Sequence, residues 1–573
     1  MARDKSSKKT SKDNKDIDQD TLEDFQGMVS KWASIPFGVI VVMVAGSALN
    51  LVPYFLDLKE ELGFEPVHQE LIRWGVLFGY YGGILAGPMV DMFATTASFV
   101  VAAILAGGGY VGLAFLAETE EAAGYKVGLI VTLVIFVAFT GAIATIASIS
   151  TIIKNFSRNV GTMITAVMIT YYYLAPYLDI CVRHGYFEGV ELKKNLIFTG
   201  VFQFVIYLLA AFIVDENEQS LRMKRASNVT DRFGILIYGA IAGAFVALVY
   251  AVCVIAESYT IGVFLMLILI LVNFIALGFT IQTLLGEINR RGTASAQEEY
   301  IPEKKHFGQM LIDVRYYCLL FGTFFVIGTG AMYNIETPSV ANALGKPELG
   351  ERVQKAYWIS QAISILGGGL TAAMFVYIIN GWIFAASAAF SSVAGFALIF
   401  LTDSLGEFFF YLSGFFVGAG VGGWWVIVPQ IILDDAGPRS FESLWGLTLS
   451  VNIFGTFCFE RLYYWVSDKT EPSEPSDCEG VSCFLATYMI AMGFCLIATG
   501  LAFMGWNNDT GTAGSREERK PLRENDGNKS GKRSRSTSKK DRGSKKDRGS
   551  SSKKRSGSRD KKSRSRSKNK EKA

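Results

Sequence analysis

The sequence predicts an all-α, polytopic membrane protein of about 14 transmembrane helices, arranged as two six-helix halves plus an inserted helix pair. Half of its 573 residues are hydrophobic and only 19% are charged, whereas soluble domains usually carry about 25% charged residues. Apolar runs of roughly 20 residues, long enough to cross a bilayer core, recur along the chain. The first and last six of these runs also share motifs at a nearly constant spacing. This composition excludes a soluble enzyme, a fibrous chain and a disulfide-rich secreted scaffold.

Fourteen apolar runs can be delimited. Because they are apolar on all sides rather than alternating, we expect helices and not the strands of a barrel. The first half, residues 32–214, contains Ser34–Leu56, Leu71–Phe93, Ala94–Ala117, Val127–Phe156, Gly161–Cys181 and Leu196–Val214. The inserted pair, residues 234–286, comprises Gly234–Glu257 and Ser258–Gly286. The second half, residues 314–506, contains Val314–Glu336, Lys355–Ile378, Ile379–Thr402, Phe408–Asp434, Phe441–Asp468 and Phe484–Trp506.

The segments outside these runs are polar. Residues 1–31 form a charged tail, 215–233 and 287–313 are loops, and 507–573 carry 25 Lys and Arg against 9 Asp and Glu. An even number of spans places both tails on one side of the membrane. Basic residues cluster in the connections on that side, so the positive-inside rule predicts two cytosolic tails. We expect no cleavable signal peptide, and a location in the plasma membrane or in an endomembrane such as that of the vacuole.

The two halves carry matching motifs in the same order. At offsets of 284 to 286 residues, the matched segments are Gly46–Leu51 with Gly330–Ile335, Gly82–Ile84 with Gly368–Leu370, and Lys154–Gly161 with Arg439–Gly446. Three ordered matches indicate a duplicated six-helix unit. Two such halves, with a solute bound between them near the membrane midplane, are typical of secondary transporters.

Several segments resemble the nodulin-like family of the major facilitator superfamily. Trp32 through Phe93, including Leu58–Phe64, is similar to the family's opening, Lys154–Thr162 resembles its conserved Asn-Phe stretch, and Pro429–Gly446 resembles its C-terminal signature. The resemblance covers most of the membrane body and neither tail. It implies a major-facilitator fold and a secondary-active or facilitative transporter of a small polar solute, such as a monocarboxylate or similar organic anion. The alternative is a non-transporting receptor or scaffold with the same fold.

Four polar side chains are candidates for binding the solute. Asn50 and Asn334 lie on the first helix of each half, which by the resemblance faces the central cavity, and Tyr54 and Tyr333 lie close to them. Buried amides can bind a polar solute, but they also hydrogen-bond between helices. The tyrosine hydroxyls can reach a carboxylate, and packing at the membrane interface is the alternative.

Acidic groups within the apolar runs are candidates for proton coupling, because burial can raise the pKa of a carboxyl group into the working range. Asp179 and Glu336 lie near the ends of the fifth and ninth runs, and the alternative is that both are hydrated helix ends. Glu460 and Arg461 are adjacent and do not share a helical face. We therefore expect each of these two to have another partner.

A gate is predicted where the matched Lys154–Gly161 and Arg439–Gly446 segments enter the membrane. Lys154 and Arg439 can brace the two halves against acids such as Asp91, Asp434 or Asp435, and the alternative is that they are positive-inside anchors. Glycine costs helix stability relative to alanine, so Gly161 and Gly446 are expected to allow close helix approach. The candidate gate residues are Asp91, Lys154, Phe156, Gly161, Arg439, Phe441 and Gly446.

The remaining motifs bear on cofactors and partners. Cys478 and Cys483 can form a small disulfide in an external loop, while the other cysteines show no metal-ligand spacing. We find no P-loop, GxSxG or HExxH motif, and therefore expect neither an enzyme nor a cofactor. The basic tail favours contact with anionic lipid over nucleic acid, with an inert solvated tail as the alternative. The expected partners are thus a small-molecule solute, membrane lipid and a candidate coupling proton.

Overall fold

The computed structural model describes residues 33–51, 66–117, 123–156, 161–173, 175, 192–214, 305–375, 380–466, 480 and 482–510, with a few isolated residues between 224 and 299. Four of the predicted site features lie outside the described residues: Tyr54, Asp179, Cys478 and the side chain of Asn50. So do residues 1–31 and 511–573 of the two tails. All helix counts and contacts refer to the described residues.

The first half consists of six helical segments. They are α1 (Ala33–Gly46), which a 3₁₀ turn at Ser47–Asn50 follows, α2 (Pro66–Tyr80), α3 (Gly83–Ala117), α4 (Ala123–Asn155), α5 (residues 161–173) and α6 (Leu192–Ile213). Two short strands, β1 (Lys224–Arg225) and β2 (Glu298–Glu299), then pair antiparallel. They flank the predicted inserted pair, of which only Ile261, Phe264, Ile268 and Leu271 are described, all of them helical.

The described part of the second half contains long helices and two short ones. Its elements are α7 (Phe307–Met310), α8 (Val314–Ala343), α9 (Pro347–Phe375), α10 (Gly381–Ile399), α11 (Thr402–Leu405), α12 (Phe408–Ala436), α13 (Phe441–Val466) and α14 (Ser482–Thr510). Several of these helices extend beyond the predicted apolar runs. A helix can continue past the bilayer core, so hydropathy underestimates its length.

Seven helical segments of the described part are long and apolar enough to cross a membrane. They are Val67–Leu116, Tyr125–Asn155, Leu192–Ile213, Val314–Ala343, Gly381–Ile399, Phe408–Ala436 and Ser482–Asn508. The prediction of an all-helical, multi-pass membrane protein is therefore confirmed, while the count of fourteen spans stays a prediction.

Helix α3 contains a sharp kink at Ala94, where φ is 62° and ψ is 165°. A positive φ is uncommon for a residue with a Cβ atom and is strained. The kink coincides with the Phe93/Ala94 junction at which the sequence predicts the end of the second span. The strained backbone therefore separates two spans that follow each other without a loop.

The second predicted span is itself interrupted, because α2 ends at Tyr80 and α3 begins at Gly83. At this break the N–H of Gly82 donates to the carbonyl of Gly79 at 2.9 Å, a tighter turn than that of an α-helix. The break introduces no charged or strongly polar side chain. The hydropathy of Leu71–Phe93 therefore predicts one continuous helix.

Helix packing follows the predicted halves. In the first half α3 packs against α4 and α6, and in the second half α12 packs against α9 and α10. Across the halves, α13 packs along α3. The α3–α13 contact therefore forms the main seam between the halves in the described residues, and the gate candidates Asp91 and Gly446 lie along it.

Candidate functional site

The backbones of α3 and α13 touch at the seam. A Cβ atom added to Gly83 would lie 2.8 Å from Cα of Gly446, and one added to Gly446 would lie 2.9 Å from the carbonyl carbon of Gly83. A Cβ atom on Gly87 would lie 3.0 Å from the carbonyl carbon of Glu442. Side chains do not fit at these distances, so glycine permits the close approach that we expected at Gly446.

Gly161 does not show the expected close approach. A Cβ atom there would lie 3.7 Å from its nearest neighbours on Ile152 and Ile153, which is ordinary van der Waals distance. The tight contact occurs five residues later, where a Cβ atom on Gly369 would collide with Cβ of Ala166. The repeat aligns Gly161 with Gly446 in the sequence. It does not determine the register in which each helix packs against its neighbour, so the expectation fails at Gly161.

At one end of the seam, which we call the Asp91 end, acids and a lysine link the halves. The carboxylate of Glu442 pairs with the Lys154 ammonium and accepts a hydrogen bond from the Ser150 hydroxyl. Asp91 accepts hydrogen bonds from the backbone N–H of Ser443, at 3.1 Å, and from its hydroxyl. Because Ser443 lies in the first turn of α13, Asp91 satisfies a free N–H and places its charge at the positive end of the helix dipole.

Lys154 pairs with Glu442, an acid outside the three that the sequence suggested. Asp435 pairs with Arg315 at 2.7 Å, and Asp434 accepts a hydrogen bond from the Gln430 side chain at 3.2 Å, both within the second half. Glu442 was not singled out because it follows Phe441 inside an apolar run. Its position in the first turn of that run was the signal that could have identified Glu442.

The other gate candidates differ in their environment. Arg439 is exposed at the turn between α12 and α13. Phe156 and Phe441 are both buried, and the Phe441 ring stacks on Trp445 with centroids 6.4 Å apart. The structure thus brings Asp91, Lys154 and Gly446 to one end of the seam.

At the opposite end of the seam, which we call the Glu70 end, two ion pairs join α2 and α13. Arg73 pairs with Glu460, and Arg461 pairs with Glu70. The guanidinium of Arg73 also lies 5.2 Å from the centroid of the Trp74 ring. The expectation that Glu460 and Arg461 each have another partner is confirmed. The sequence did not identify these partners, because Glu70 and Arg73 lie at the start of an apolar run and belong to no recognised motif.

The candidates on α8 lie inside the second half. The Tyr333 ring packs against Tyr357, Phe396 and Tyr488, with centroids 5.8 to 6.1 Å apart. The backbone carbonyl of Asn334 accepts a hydrogen bond from Gln354 at 2.6 Å. Glu336 is 3% exposed. The structure therefore places these three residues together on one helix.

Between the two ends, a row of aromatic rings crosses from one half to the other. We call it the aromatic row, and its ring centroids lie 4.6 to 5.8 Å apart in the order Tyr80, Tyr172, Tyr173, Trp425 and Trp445. The hydroxyls of Tyr80 and Tyr173 and the indole N–H of Trp445 are buried without a hydrogen-bond partner. The sequence signals were the tyrosine triplet 171–173 and the paired Trp424 and Trp425, which hydropathy treats as ordinary apolar residues.

The described cysteines include both bonded and free thiol groups. Cys483 is disulfide-bonded, and its predicted pairing with Cys478 stays a prediction. Cys318, Cys458 and Cys495 are free. Within the part of the chain that the structure describes, no group of three or more His, Cys, Asp or Glu residues can hold a metal ion.

Comparison with known proteins identifies a family region and a fold. Residues 31–283 match the family model described as Nodulin-like, while the comparison with curated proteins gave no match. A crystal structure of a double-tryptophan mutant of XylE is similar with a TM-score of 0.52 at 14% identity, covering 84% of this chain and 94% of that one. Another solved structure of XylE is that of a major facilitator superfamily proton:xylose symporter. At this identity the similarity concerns the fold.

A second solved structure gives a weaker match. It is a variant of the E. coli fucose:proton symporter FucP, with a TM-score of 0.45 at 11% identity, and the match covers 82% of this chain and 98% of that one.

Proposed function

We propose that this chain, an integral membrane protein of the major-facilitator fold whose residues 31–283 belong to the nodulin-like family, carries a small polar solute across its membrane by alternating access. The seam between the halves supports the proposal. Polar and ionic contacts join the halves at the Asp91 end and again at the Glu70 end. The aromatic row and its unpartnered polar atoms lie between them.

This arrangement suits a carrier whose two ends open in turn. Ion pairs and helix caps can break and re-form as rigid halves rock, whereas a continuous apolar interface would resist separation. In this proposal the Lys154–Glu442 pair and the Asp91–Ser443 contact close the cytosolic end. The two α2–α13 ion pairs close the opposite end. Gly446 allows the backbones to meet when both ends are closed.

Further roles follow from the sequence predictions. Glu336 on α8 and Asp179 would carry the coupling proton, and Asn50, Tyr54, Tyr333 and Asn334 would contribute to solute binding. Both tails would face the cytosol, with the basic tail near anionic lipid. The chain would have no catalytic activity, and its solute would be a monocarboxylate or another small polar compound.

The test is uptake by purified, full-length protein in liposomes, measured with radiolabelled carboxylates, amino acids and sugars. We expect saturable uptake of at least one solute. Flux that does not saturate would indicate a channel, and absence of uptake across the panel would favour the receptor or scaffold.

Glu442→Gln tests the gate within the same assay. It removes the charge that pairs with Lys154, so closure at the Asp91 end weakens, and we expect uptake to fall at least tenfold. Glu407→Gln is the matched control, because Glu407 makes an ion pair with Lys346 at 3.0 Å in which both side chains are about half exposed. Exposed pairs contribute little, so this variant should transport normally. Equal uptake by the two variants would contradict the gate.

A further inference from the structure

The space between the two ends of the seam contains polar atoms that no protein group satisfies. The Tyr173 hydroxyl, the Trp445 indole N–H and the Gln361 carbonyl oxygen are each buried without a hydrogen-bond partner. Their side chains come from both halves, on α5, α13 and α9. An unsatisfied buried polar atom is costly, and such atoms in native proteins usually have a reason.

Several contacts link these residues to one another. Tyr173 packs against Trp425 at 5.6 Å, and Trp425 packs against Trp445 at 5.8 Å. A Cβ atom on Gly422, about one turn before Trp425 on α12, would lie 3.1 Å from Cα of Gln361. Gln361 follows Tyr357 by one helical turn, so both lie on the same face of α9. Helix α9 also contacts the first half at Gly369, where a Cβ atom would collide with Cβ of Ala166. We call Tyr173, Tyr357, Gln361, Trp425 and Trp445 the central cage.

We propose that the central cage binds an uncharged, hydroxyl-rich ring compound of the class of neutral sugars and cyclic polyols. This inference rests on the proposed transport function and specifies its substrate class. The cage offers two hydrogen-bond donors, a hydroxyl and an indole N–H, and one amide acceptor. A compound with several hydroxyl groups can satisfy all three, because each hydroxyl both donates and accepts.

The shape of the cage favours the same class. Four of its five side chains are aromatic, and ligand sites typically combine apolar and aromatic walls with a few well-placed polar groups. The C–H face of a saturated ring can lie against an aromatic ring while its hydroxyls point to the polar atoms. A small monocarboxylate has no such extended face.

Charge separates this class from organic anions. None of the five cage residues carries a charge, and Lys154 and Arg73, which lie at the two ends of the seam, are held in ion pairs with Glu442 and Glu460. A carboxylate moved into this buried region would lose its hydration without gaining a cation. A neutral compound does not incur that loss. The cage therefore favours a neutral solute over the monocarboxylate that the family resemblance implies.

The proposal can be tested by binding and uptake with purified, full-length protein. The neutral probes are D-glucose, D-fructose and myo-inositol, and the charged probes are L-lactate and pyruvate. Because Trp425 and Trp445 line the cage, we expect a saturable change in tryptophan fluorescence, and saturable uptake into liposomes, with at least one neutral probe and with neither acid.

Two substitutions remove polar groups from the cage, Gln361→Met at nearly unchanged side-chain size and Trp445→Phe with the loss of one ring. Trp445→Phe removes the indole N–H, and Gln361→Met removes the amide. Each should weaken the apparent affinity for the neutral probe about tenfold. Tyr488→Phe is the matched control, since it removes a buried, unpartnered hydroxyl within the second half, away from the cage. Thermal denaturation in detergent verifies that all three variants fold.

The possible outcomes distinguish this inference from the transport function. Saturable uptake of L-lactate or pyruvate that the cage variants reduce would overturn the substrate class and leave the transporter. Uptake of a neutral probe that the cage variants leave unchanged would overturn the site. Absence of binding and uptake for all three neutral probes would overturn the inference, while the wider uptake panel decides separately whether the protein transports anything.

Discussion

At the scale of single residues, the glycines of the seam behave differently despite their equivalence in the sequence. Gly446 and Gly161 occupy the same place in the repeat. Gly446 meets the backbone of Gly83, whereas Gly161 has its nearest neighbours at ordinary van der Waals distance. A glycine in a matched motif therefore indicates a place where helices can approach, and the packing of the helices decides whether they do.

This difference predicts opposite effects for one substitution. Gly446→Ala forces a methyl group into the backbone of α3, and such overpacking typically costs about 1–3 kcal/mol. Gly161→Ala meets no obstruction and gains helix propensity, so its stability should stay within about 1 kcal/mol of the original. Thermal denaturation in detergent and liposome uptake measure both effects. Gly446→Ala that is as stable and active as Gly161→Ala would mean that the seam is looser than the structure shows.

At the scale of elements, the break between α2 and α3 depends on a side chain from the other half. The Ser450 hydroxyl on α13 donates to the carbonyl of Tyr81 at 2.9 Å and accepts from the N–H of Ile84 at 2.6 Å. One hydroxyl thus satisfies two backbone groups that the interrupted helix leaves free. In a membrane, backbone groups at such a break need a protein partner.

Ser450→Ala should therefore loosen the break. Two backbone groups lose their partner, which we expect to lower the free energy of unfolding by about 1–3 kcal/mol. Hydrogen exchange followed by mass spectrometry should show faster exchange in peptides that cover Ile84. The control is Ser387→Ala, because the Ser387 hydroxyl is exposed and bonds only within its own helix, to Phe384. Unchanged exchange at Ile84 would contradict the role of Ser450.

The start of α8 provides a second test at this scale, outside the membrane-spanning part. Asp313 is the N-cap and accepts a hydrogen bond from the N–H of Arg315 at 3.0 Å. Partial burial raises the pKa of Asp313, but hydrogen bonds from Lys305 and from the Arg315 N–H outweigh it and lower the pKa below the ordinary value of 3.8. The charged form is therefore the one that stabilises the fold.

A group whose pKa is lowered by folding contributes stability above its unfolded pKa and loses it as the pH falls through the folded value. Asp313→Ala should cost about 1 kcal/mol at pH 7, as is typical for an N-cap. We expect the difference between variant and original to shrink in denaturation measurements as the pH falls below 3.8. A difference that is constant down to acidic pH would show that the charge of Asp313 plays no part.

At the scale of the whole molecule, the predicted topology can be tested independently of transport. The eight spans predicted between Ser227 and the segment after Trp506 are an even number, so both positions should lie on one side of the membrane. Reporters at these two positions should both report the cytosol, and a reporter within residues 118–121 should report the opposite side. Opposite locations for Ser227 and Trp506 would overturn the count of fourteen spans.

Much of the architecture was predictable because it depends on local properties of the chain. The length and hydropathy of each apolar run predict a helix, and the repeat predicts two halves. The junction at Ala94 was also predictable, since two span lengths follow each other there without a polar loop. The nodulin-like motifs occur in short contiguous segments, so they too can be recognised without a structure.

The contacts between the halves required the tertiary structure. Arg73 meets Glu460 and Lys154 meets Glu442 across hundreds of residues, and no local pattern relates the partners. The aromatic row was hidden for a similar reason, because tyrosine and tryptophan in an apolar run have the same hydropathy whether they face lipid, a core or a solute. The sequence by itself determined that the membrane-spanning segments are apolar helices. Only the packing of those helices decided which side chains face each other, because facing depends on the register and rotation of helices that are distant in the chain.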